Sequence, residues 1–515
     1  MYHRELITQV LVNLFSVQTL VVCFLGTAAG VILGAIPGMN GGIGIAVMLP
    51  FTYAMRPEQG LLFLGGIYLG SSYGGSISGI LINCPGTAEA SCTALEGYQM
   101  TRKGEGKRAL YFSVIASGIG SFIGLIVLLF FAPVLSSISV RFGPPEMMLL
   151  AICGLTIVGS LTGKNVPKGL LAALAGLFLA MIGIDGSTGA MRFTFGSKAL
   201  RGGINLIPAI IGLFAIAEMI KQGIGLNGNG DDKEILQLQK ARFIDIWKET
   251  WRNYTGVLLK SSAIGTFIGI LPGTGGAIAS FLAYGEAKGR DKKGTFGQGN
   301  PAGIVAPESA NNAAVGGSLV PMLSLGIPGS STSAIMFGAL TIHGLVPGQR
   351  LFVEHGDIVY TFILGMFLAA VIMMVIGIFG IPVFASILKL NIRHIIPVVL
   401  MCSLIGAYSV NNSVYDVYVA IGMGIFGVVL AKLGIPNTPV VLGLILGSII
   451  ESNFVRTYTI VSAQGRNIFL YVLARPLCIG ILLLTAYLIY ANIKALRKGK
   501  EVQQDSNIEQ DLQEE

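Results

Sequence analysis

Residues Pro307–Ala334 read PESANNAAVGGSLVPMLSLGIPGSSTSA. A long apolar run here carries two asparagines, six serines, a threonine and a Pro-Gly break, a mixture that suits neither a packed core helix nor a loop. Lipid cannot satisfy freed backbone N–H and C=O groups, so a broken, polar backbone at membrane depth survives only where it is buried in protein or lines a water-filled cavity. The stretch therefore reads as half of a binding site.

The rest of the chain supplies the membrane. Its 515 residues are 53% hydrophobic and only 12% charged, about half the charged share of an ordinary soluble domain, and mean hydropathy is +0.74. Apolar segments near the spanning length of roughly 20 residues recur, among them Tyr111–Val134, Thr361–Ile387, Val417–Leu433 and Ile468–Ala491. These predict an all-α polytopic membrane protein of about 10–12 spans. The net charge of +8 comes from basic residues in short loops, which fits positive-inside topology rather than nucleic-acid binding. Six cysteines are scattered singly without CxxC or Cys/His spacing, so they read as packing residues. The N-terminal MYHRELITQV lacks the pattern of a cleaved signal and is expected to be retained.

Glycines and prolines of the first half recur in the second. Gly30, Gly34, Pro37, Gly38 and Gly41 reappear 235 positions later as Gly265, Gly269, Pro272, Gly273 and Gly276. YGGSISGILINCPGT (Tyr73–Thr87) answers VGGSLVPMLSLGIPGS (Val315–Ser330), with one extra residue before the second Pro-Gly. Gly176 and Gly183 map onto Gly427 and Gly434, and PAIIGLF (Pro208–Phe214) resembles PVVLGLI (Pro439–Ile445). Two halves built from one unit are expected.

Loop charge sets their orientation. The first-half loop TRKGEGKR (Thr101–Arg108) is basic, whereas its counterpart His343–Asp357 has one arginine and more acid. GEAKGRDKKG (Gly285–Gly294) is basic and its first-half counterpart AMRPEQG is nearly neutral. The pairs differ in the sense an inverted repeat requires, and an inverted repeat with discontinuous helices and re-entrant hairpins is expected. The expected organisation is a membrane repeat over 1–222, a cytoplasmic linker over 223–251, an inverted repeat over 252–453, an extra span over 454–493 and a cytoplasmic tail over 494–515.

Each half has two breaks: PGMNGG (Pro37–Gly42) with NCPGT (Asn83–Thr87), and PGTGG (Pro272–Gly276) with IPGSSTS (Ile327–Ser333). Proline ends a helix and glycine permits unusual φ, so each break leaves a helix C-terminus near a helix N-terminus. Free amides at an N-terminus attract anions, and free carbonyls at a C-terminus coordinate Na⁺. Candidate substrate-binding residues are Asn40, Ser76, Asn83, Pro85, Gly86, Thr87, Thr274, Gly275, Asn311, Asn312, Gly329, Ser330, Ser331 and Thr332, and Na⁺ is placed near Gly38, Asn83, Gly273 and Asn311. The hydroxyls either donate to a carboxylate or cap buried helices. Amides at membrane depth need a partner in either case. Glu89 and Glu308 bind a cation or proton or cap helices at the interface, while Glu146 and Asp185 read as structural.

Enzymatic signals are weak: the four histidines form no HExxH, no serine sits in a GxSxG elbow, and GMNGGIG does not complete GxGxxG. A membrane-embedded enzyme and a passive channel stand as rivals to a transporter using the same polar cavity. The motifs GAIPGMNGGIGIAVMLPFTY, IYLGSSYGGSISGILINCPGTAEA, ILPGTGGAIASFLAYGEAK and Pro307–Gly348, spread from about Gly26 to Arg475, resemble the large membrane subunit of tripartite tricarboxylate transporters. The resemblance implies secondary active uptake of di- or tricarboxylates across a bacterial inner membrane, driven by Na⁺ or H⁺. It also implies a small membrane subunit and a periplasmic solute-binding protein as partners. No other cofactor is implied.

Overall fold

The computed structural model describes residues 2–36, 39–139, 143–160, 166–185, 189–225, 241–271, 275–292, 294–382, 384, 392–483, 485–487 and 489. In chain order the helices are α1 (Tyr2–Leu14), α2 (Val17–Ala35), α3 (Gly41–Met48), α4 (Pro57–Ile82), α5 (Ser91–Arg102), α6 (Gly106–Ser139), α7 (Pro144–Ser160) and α8 (Val166–Ala180). There follow α9 (Leu206–Ile210), continued by a π-helical turn over Ile211–Ile216 into α10 (Ala217–Gly225), then α11 (Phe243–Asn253), α12 (Thr255–Ile270), α13 (Gly275–Gly289) and α14 (Ala302–Leu325). The last are α15 (Ser331–Ile342), α16 (Gln349–Glu354), α17 (Gly356–Phe379), α18 (Ile392–Asn411), α19 (Val414–Lys432), α20 (Thr438–Ala463) and α21 (Ile468–Leu473). The described exception to helix is the pair β1 (Gly183–Ile184) and β2 (Met191–Arg192), antiparallel, in the polar connection after α8.

Six helices among the described residues are long and apolar enough to cross a membrane: Val17–Ala35, Gly106–Ser137, Leu206–Ile224, Gly356–Phe379, Val414–Lys432 and Thr438–Ala463. Helices α4 and α14, of 26 and 24 residues, have comparable length but are rich in Gly and Ser, with Asn311 and Asn312 added in α14, and almost every residue in them is buried. Their polarity is thus spent inside the protein rather than against lipid. Phe24, Phe130, Phe131 and Phe379 face outward from the apolar helices, the surface a bilayer covers. Most of the linker, residues 226–240, and the tail over 494–515 lie outside the described residues, as do Pro37, Gly38, Pro272, Gly273 and Thr274.

The chain forms two compact units, Met1–Ser139 with Ile207–Val428, and Val140–Leu206 with Val429–Glu515. Each draws on both halves of the sequence. In the first, glycine lets backbones touch. A Cβ on Gly26, Gly30 or Gly34 of α2 would overlap the carbonyl oxygens of Phe63, Ile67 and Ser71 of α4, the small-residue spacing that membrane helices use for close approach. Helix α12 repeats this on α14: Gly265 and Gly269 lie against the carbonyls of Ala310 and Ala314.

These contacts recur at fixed steps. Gly30–Ile67 answers Gly265–Ala310, Gly34–Ser71 answers Gly269–Ala314, and Gly74–Val31 answers Gly317–Thr266, at 235 positions for α2 and α12 and 243 for α4 and α14. The loops follow suit. The Gly86 amide donates to Gly75 O at 3.0 Å and the Gly329 amide to Ser318 O at 3.3 Å. A constant step of 243 therefore holds from Ile67 through Thr87. This corrects the register read from the shared GGS motif: no extra residue precedes Pro328, because Gly317 and Ser318, not Gly316 and Gly317, occupy the places of Gly74 and Gly75.

In the second unit, α8 packs on α20 through Gly176 against Val440 O and Gly443 against Ala173 O. Glu146, fully buried at the start of α7, accepts the Gly143 amide at 2.9 Å and pairs with Arg475 at 2.6 Å.

Candidate functional site

The helix breaks gather helix N-termini in the first unit. Helix α3 starts after Asn40, whose Oδ1 accepts the Ile43 amide at 3.0 Å. Helix α15 starts after Ser330 in a reciprocal capping box: Ser330 Oγ accepts the Ser333 amide at 3.0 Å, and Ser333 Oγ accepts the Ser330 amide at 2.8 Å. Helix α13 starts at Gly275, whose φ of 67° is the left-handed region only glycine enters freely. Asn40 and Gly41, Gly275 and Gly276, and Ser330, Ser331 and Thr332 all line one cavity of about 60 Å³. Tyr68, Ser71 and Ser72 of α4, Thr87 and Glu89 of the loop after it, and Asn311 and Val315 of α14 complete the wall.

The lining is built from matched pairs. Asn40 and Gly41 stand 235 positions from Gly275 and Gly276, while Tyr68, Ser72, Thr87 and Glu89 stand 243 from Asn311, Val315, Ser330 and Thr332. Side chains cross between the two sets. Tyr68 Oη lies 2.7 Å from Ser330 Oγ and 3.0 Å from Ser318 Oγ, and Asn311 Nδ2 donates to Ser72 O at 3.0 Å. Close approach again depends on glycine: a Cβ on Gly41 would overlap Ser71 Oγ, and one on Gly276 would overlap Asn311 Oδ1 and reach Glu89 Cγ at 3.0 Å.

Apart from the Glu89 carboxyl, the wall is one of neutral donors. A helix N-terminus leaves its first amides without intrahelical partners and carries about half a positive charge. Three such ends border the cavity, and none of its lining residues is Lys, Arg or His. Ser71 and Ser72 spend their hydroxyl protons on Tyr68 O at 2.9 and 3.0 Å. Thr87 does not: it is 7% exposed and its Oγ1 has no hydrogen-bond partner. A buried unpaired hydroxyl costs about 1–3 kcal/mol, and Thr87 Oγ1 lies over Gly75, where a Cβ would overlap it. The arrangement suits a small anion.

The cavity thus takes in Asn40, Thr87, Gly275, Asn311, Ser330, Ser331 and Thr332 of the residues singled out from sequence, with Asn40 exposed at its rim. Thr274 lies outside the described residues, and the others lie elsewhere. Ser76 is buried against Tyr73 O and Ser113 Oγ, at 2.8 Å from each. Pro85 is outside the lining, and Gly86 and Gly329 are wedged against the carbonyls of Gly34 and Gly269. Asn312 is fully buried, with Nδ2 donating to Glu308 O at 3.1 Å and Oδ1 unpaired. Asn83 is exposed and ends α4 with φ 53°, as Gly326, 243 positions on, ends α14 with φ 72°. Asparagine is the commonest alternative to glycine in that terminating conformation, so its backbone accounts for it. Of the positions placed near Na⁺, Gly38 and Gly273 lie outside the described residues, and Asn83 is outside the lining that holds Asn311.

Gly41, Tyr68, Ser71, Ser72, Gly276 and Val315 were absent from the sequence-based set, and Glu89 stood in it as a cation or proton ligand or a helix cap rather than as a substrate-site residue. The signal for Tyr68 and Ser72 was the constant register, which pairs them with Asn311 and Val315. Two further carboxylates are structural hubs. Glu308, fully buried, accepts from Thr93 at 2.5 Å, Ser117 at 2.8 Å and Ser113 at 3.2 Å, tying α5 and α6 to α14. It is an interior residue rather than a cap at the interface. Glu96 accepts from Tyr284 Oη at 2.9 Å and from the amides of Gly297, Gly299 and Asn300, fastening the loop that enters α14.

Comparison with known proteins places this geometry. An Agrobacterium vitis protein described as "Uncharacterized 52.8 kDa protein in TAR-I ttuC' 3'region" is 34% identical over 441 residues, which cover 85% of this chain and 86% of the relative. A second from that organism, "Uncharacterized protein in TAR-II ttuC' 3'region", is 34% identical over 206 residues, 40% of this chain and 85% of the relative. No solved structure matches. The tripartite tricarboxylate transporter TctA family matches residues 20–442, and with most of its length inside that match the chain belongs to this family.

Proposed function

We propose that the protein is the large membrane subunit that carries a di- or tricarboxylate inward across a bacterial inner membrane, coupled to a Na⁺ or H⁺ gradient. A periplasmic solute-binding protein delivers the substrate, and a small membrane subunit completes the complex. Family membership makes it a transporter subunit of a tripartite system rather than an enzyme. The observation that carries the substrate class is the cavity: three helix N-termini converge on it without a fixed cation. A carboxylate held by such donors can also be released, since no full charge grips it.

The two matched sets of lining residues support a site on the axis of an inverted repeat, with alternating access by one bundle moving against the other. Uptake of radiolabelled citrate and succinate into vesicles holding all three subunits tests this. Accumulation against a gradient separates a transporter from a channel, and turnover of the label identifies an enzyme. Asn311→Ala and Thr332→Ala should abolish uptake and Asn83→Gly should not. Full uptake in the first two would reject the site.

A further inference from the structure

Among the fourteen residues that line the cavity, one is ionisable at neutral pH as an acid: Glu89. Its place is 243 positions before Thr332, so one side of the matched wall offers a hydroxyl where the other offers a carboxyl. Glu89 is partly buried, its Cγ lies where a Cβ on Gly276 would reach it at 3.0 Å, and no ion pair to it is found among the described residues. Around it stand the N-termini of α13 and α15, the phenol of Tyr68 on α4, Asn311 on α14 and the unpaired Thr87 hydroxyl two residues earlier. Of these, Tyr68 is the other titratable group, and it is held by Ser318 and Ser330.

A substrate carboxylate drawn in by the helix ends would sit beside this acid. Two carboxylates sharing one small site cannot both stay ionised without a positive charge between them. At a separation of roughly 6 Å and an effective dielectric of about 20, their repulsion weakens anion binding roughly a hundredfold.

We infer that Glu89 is the cation-coupling residue of the carboxylate site: substrate enters the cavity together with one monovalent cation, H⁺ or Na⁺, that neutralises Glu89. This rests on the carboxylate reading of the cavity. It makes binding reciprocal, since the cation raises anion affinity by the same factor by which the anion raises cation affinity. The carboxyl also adds a repulsion that speeds the substrate's departure once the cation is lost on the low-cation side.

Binding of radiolabelled citrate to the purified full chain, measured while Na⁺ and pH are varied separately, tests it in wild type, Glu89→Gln and Glu89→Asp. The wild type should gain about a hundredfold in affinity on adding Na⁺ if that is the ion, or on lowering pH if it is H⁺. The difference from Glu89→Gln removes citrate's own titration. Glu89→Gln should bind at every Na⁺ concentration and pH with the affinity the wild type reaches only when the cation saturates, and Glu89→Asp should keep the dependence. Cation dependence unchanged in Glu89→Gln overturns the inference, as does a folded Glu89→Gln that binds no citrate where Glu89→Asp does. A wild type that binds neither citrate nor succinate under any condition removes the carboxylate reading itself, an outcome distinct from both.

Discussion

Replacing Glu308 separates a buried hydrogen-bond hub from a dispensable one. Its carboxylate accepts from Thr93, Ser113 and Ser117 at 2.5, 3.2 and 2.8 Å, and none of these four side chains is exposed. Glu308→Ala orphans three hydroxyls at about 1–3 kcal/mol each. Part of that returns, because serines in helices can turn to the carbonyl one turn back, while the void left by four heavy side-chain atoms adds about 2 kcal/mol. The expected loss is about 3–5 kcal/mol. Glu308→Gln keeps the volume and one acceptor oxygen, so its loss is about 1–2 kcal/mol. Thermal unfolding in detergent, followed by intrinsic fluorescence at one fixed scan rate because such unfolding is commonly irreversible, should place Glu308→Ala several degrees below Glu308→Gln. Coincident midpoints for the two variants, or a Glu308→Ala midpoint equal to wild type, would refute the reasoning.

Gly86→Ala and Gly329→Ala each drive a methyl into backbone, Gly34 O and Gly269 O respectively. Each should destabilise by about 1–3 kcal/mol or more, seen as lowered midpoints in the same assay, with the two losses alike. Asn83→Gly should melt at or slightly above wild type and transport normally, whereas Asn83→Ala, forced into the left-handed conformation at φ 53°, should lose about 1 kcal/mol. Arg475→Ala leaves Glu146, 1% exposed in its side chain, without its ion-pair partner. Since the arginine is itself a third exposed, the loss should fall at about 2–4 kcal/mol, and Glu146→Gln in the same chain should recover part of it.

Much of this architecture was legible in residue types. The four Pro-Gly or Gly-rich breaks fall between α2 and α3, α4 and α5, α12 and α13, and α14 and α15, because proline and glycine act locally and leave their mark in sequence. Glycines at matched steps marked the α2–α4 and α12–α14 contacts for the same reason. What stayed hidden depends on which way a helix faces. Asn311 and Asn312 are adjacent, yet the first lines the cavity and the second bonds back to Glu308 O, a distinction of about 100° around α14 that polarity alone does not encode. Asn83 looked like a ligand because an amide at membrane depth is costly, whereas its backbone, in the conformation Gly326 takes, explains it. The GGS motif misled the register by one residue. Similarity of letters outweighed a constant step, and with it went the pairing of Tyr68 with Asn311.

Cysteine protection at the cavity wall tests the central claim most directly. With the six native cysteines replaced, Thr87→Cys or Ser331→Cys is introduced on the cavity wall, and its reaction with a small charged thiol reagent is timed with and without citrate or succinate, each with Na⁺ present and at low pH. Binding among the helix N-termini predicts that one of these carboxylates slows labelling at both positions with the same half-maximal concentration, while labelling of exposed Asn83→Cys is unchanged. Equal labelling rates at Thr87→Cys and Ser331→Cys at every carboxylate concentration, in a protein that still transports, would contradict it.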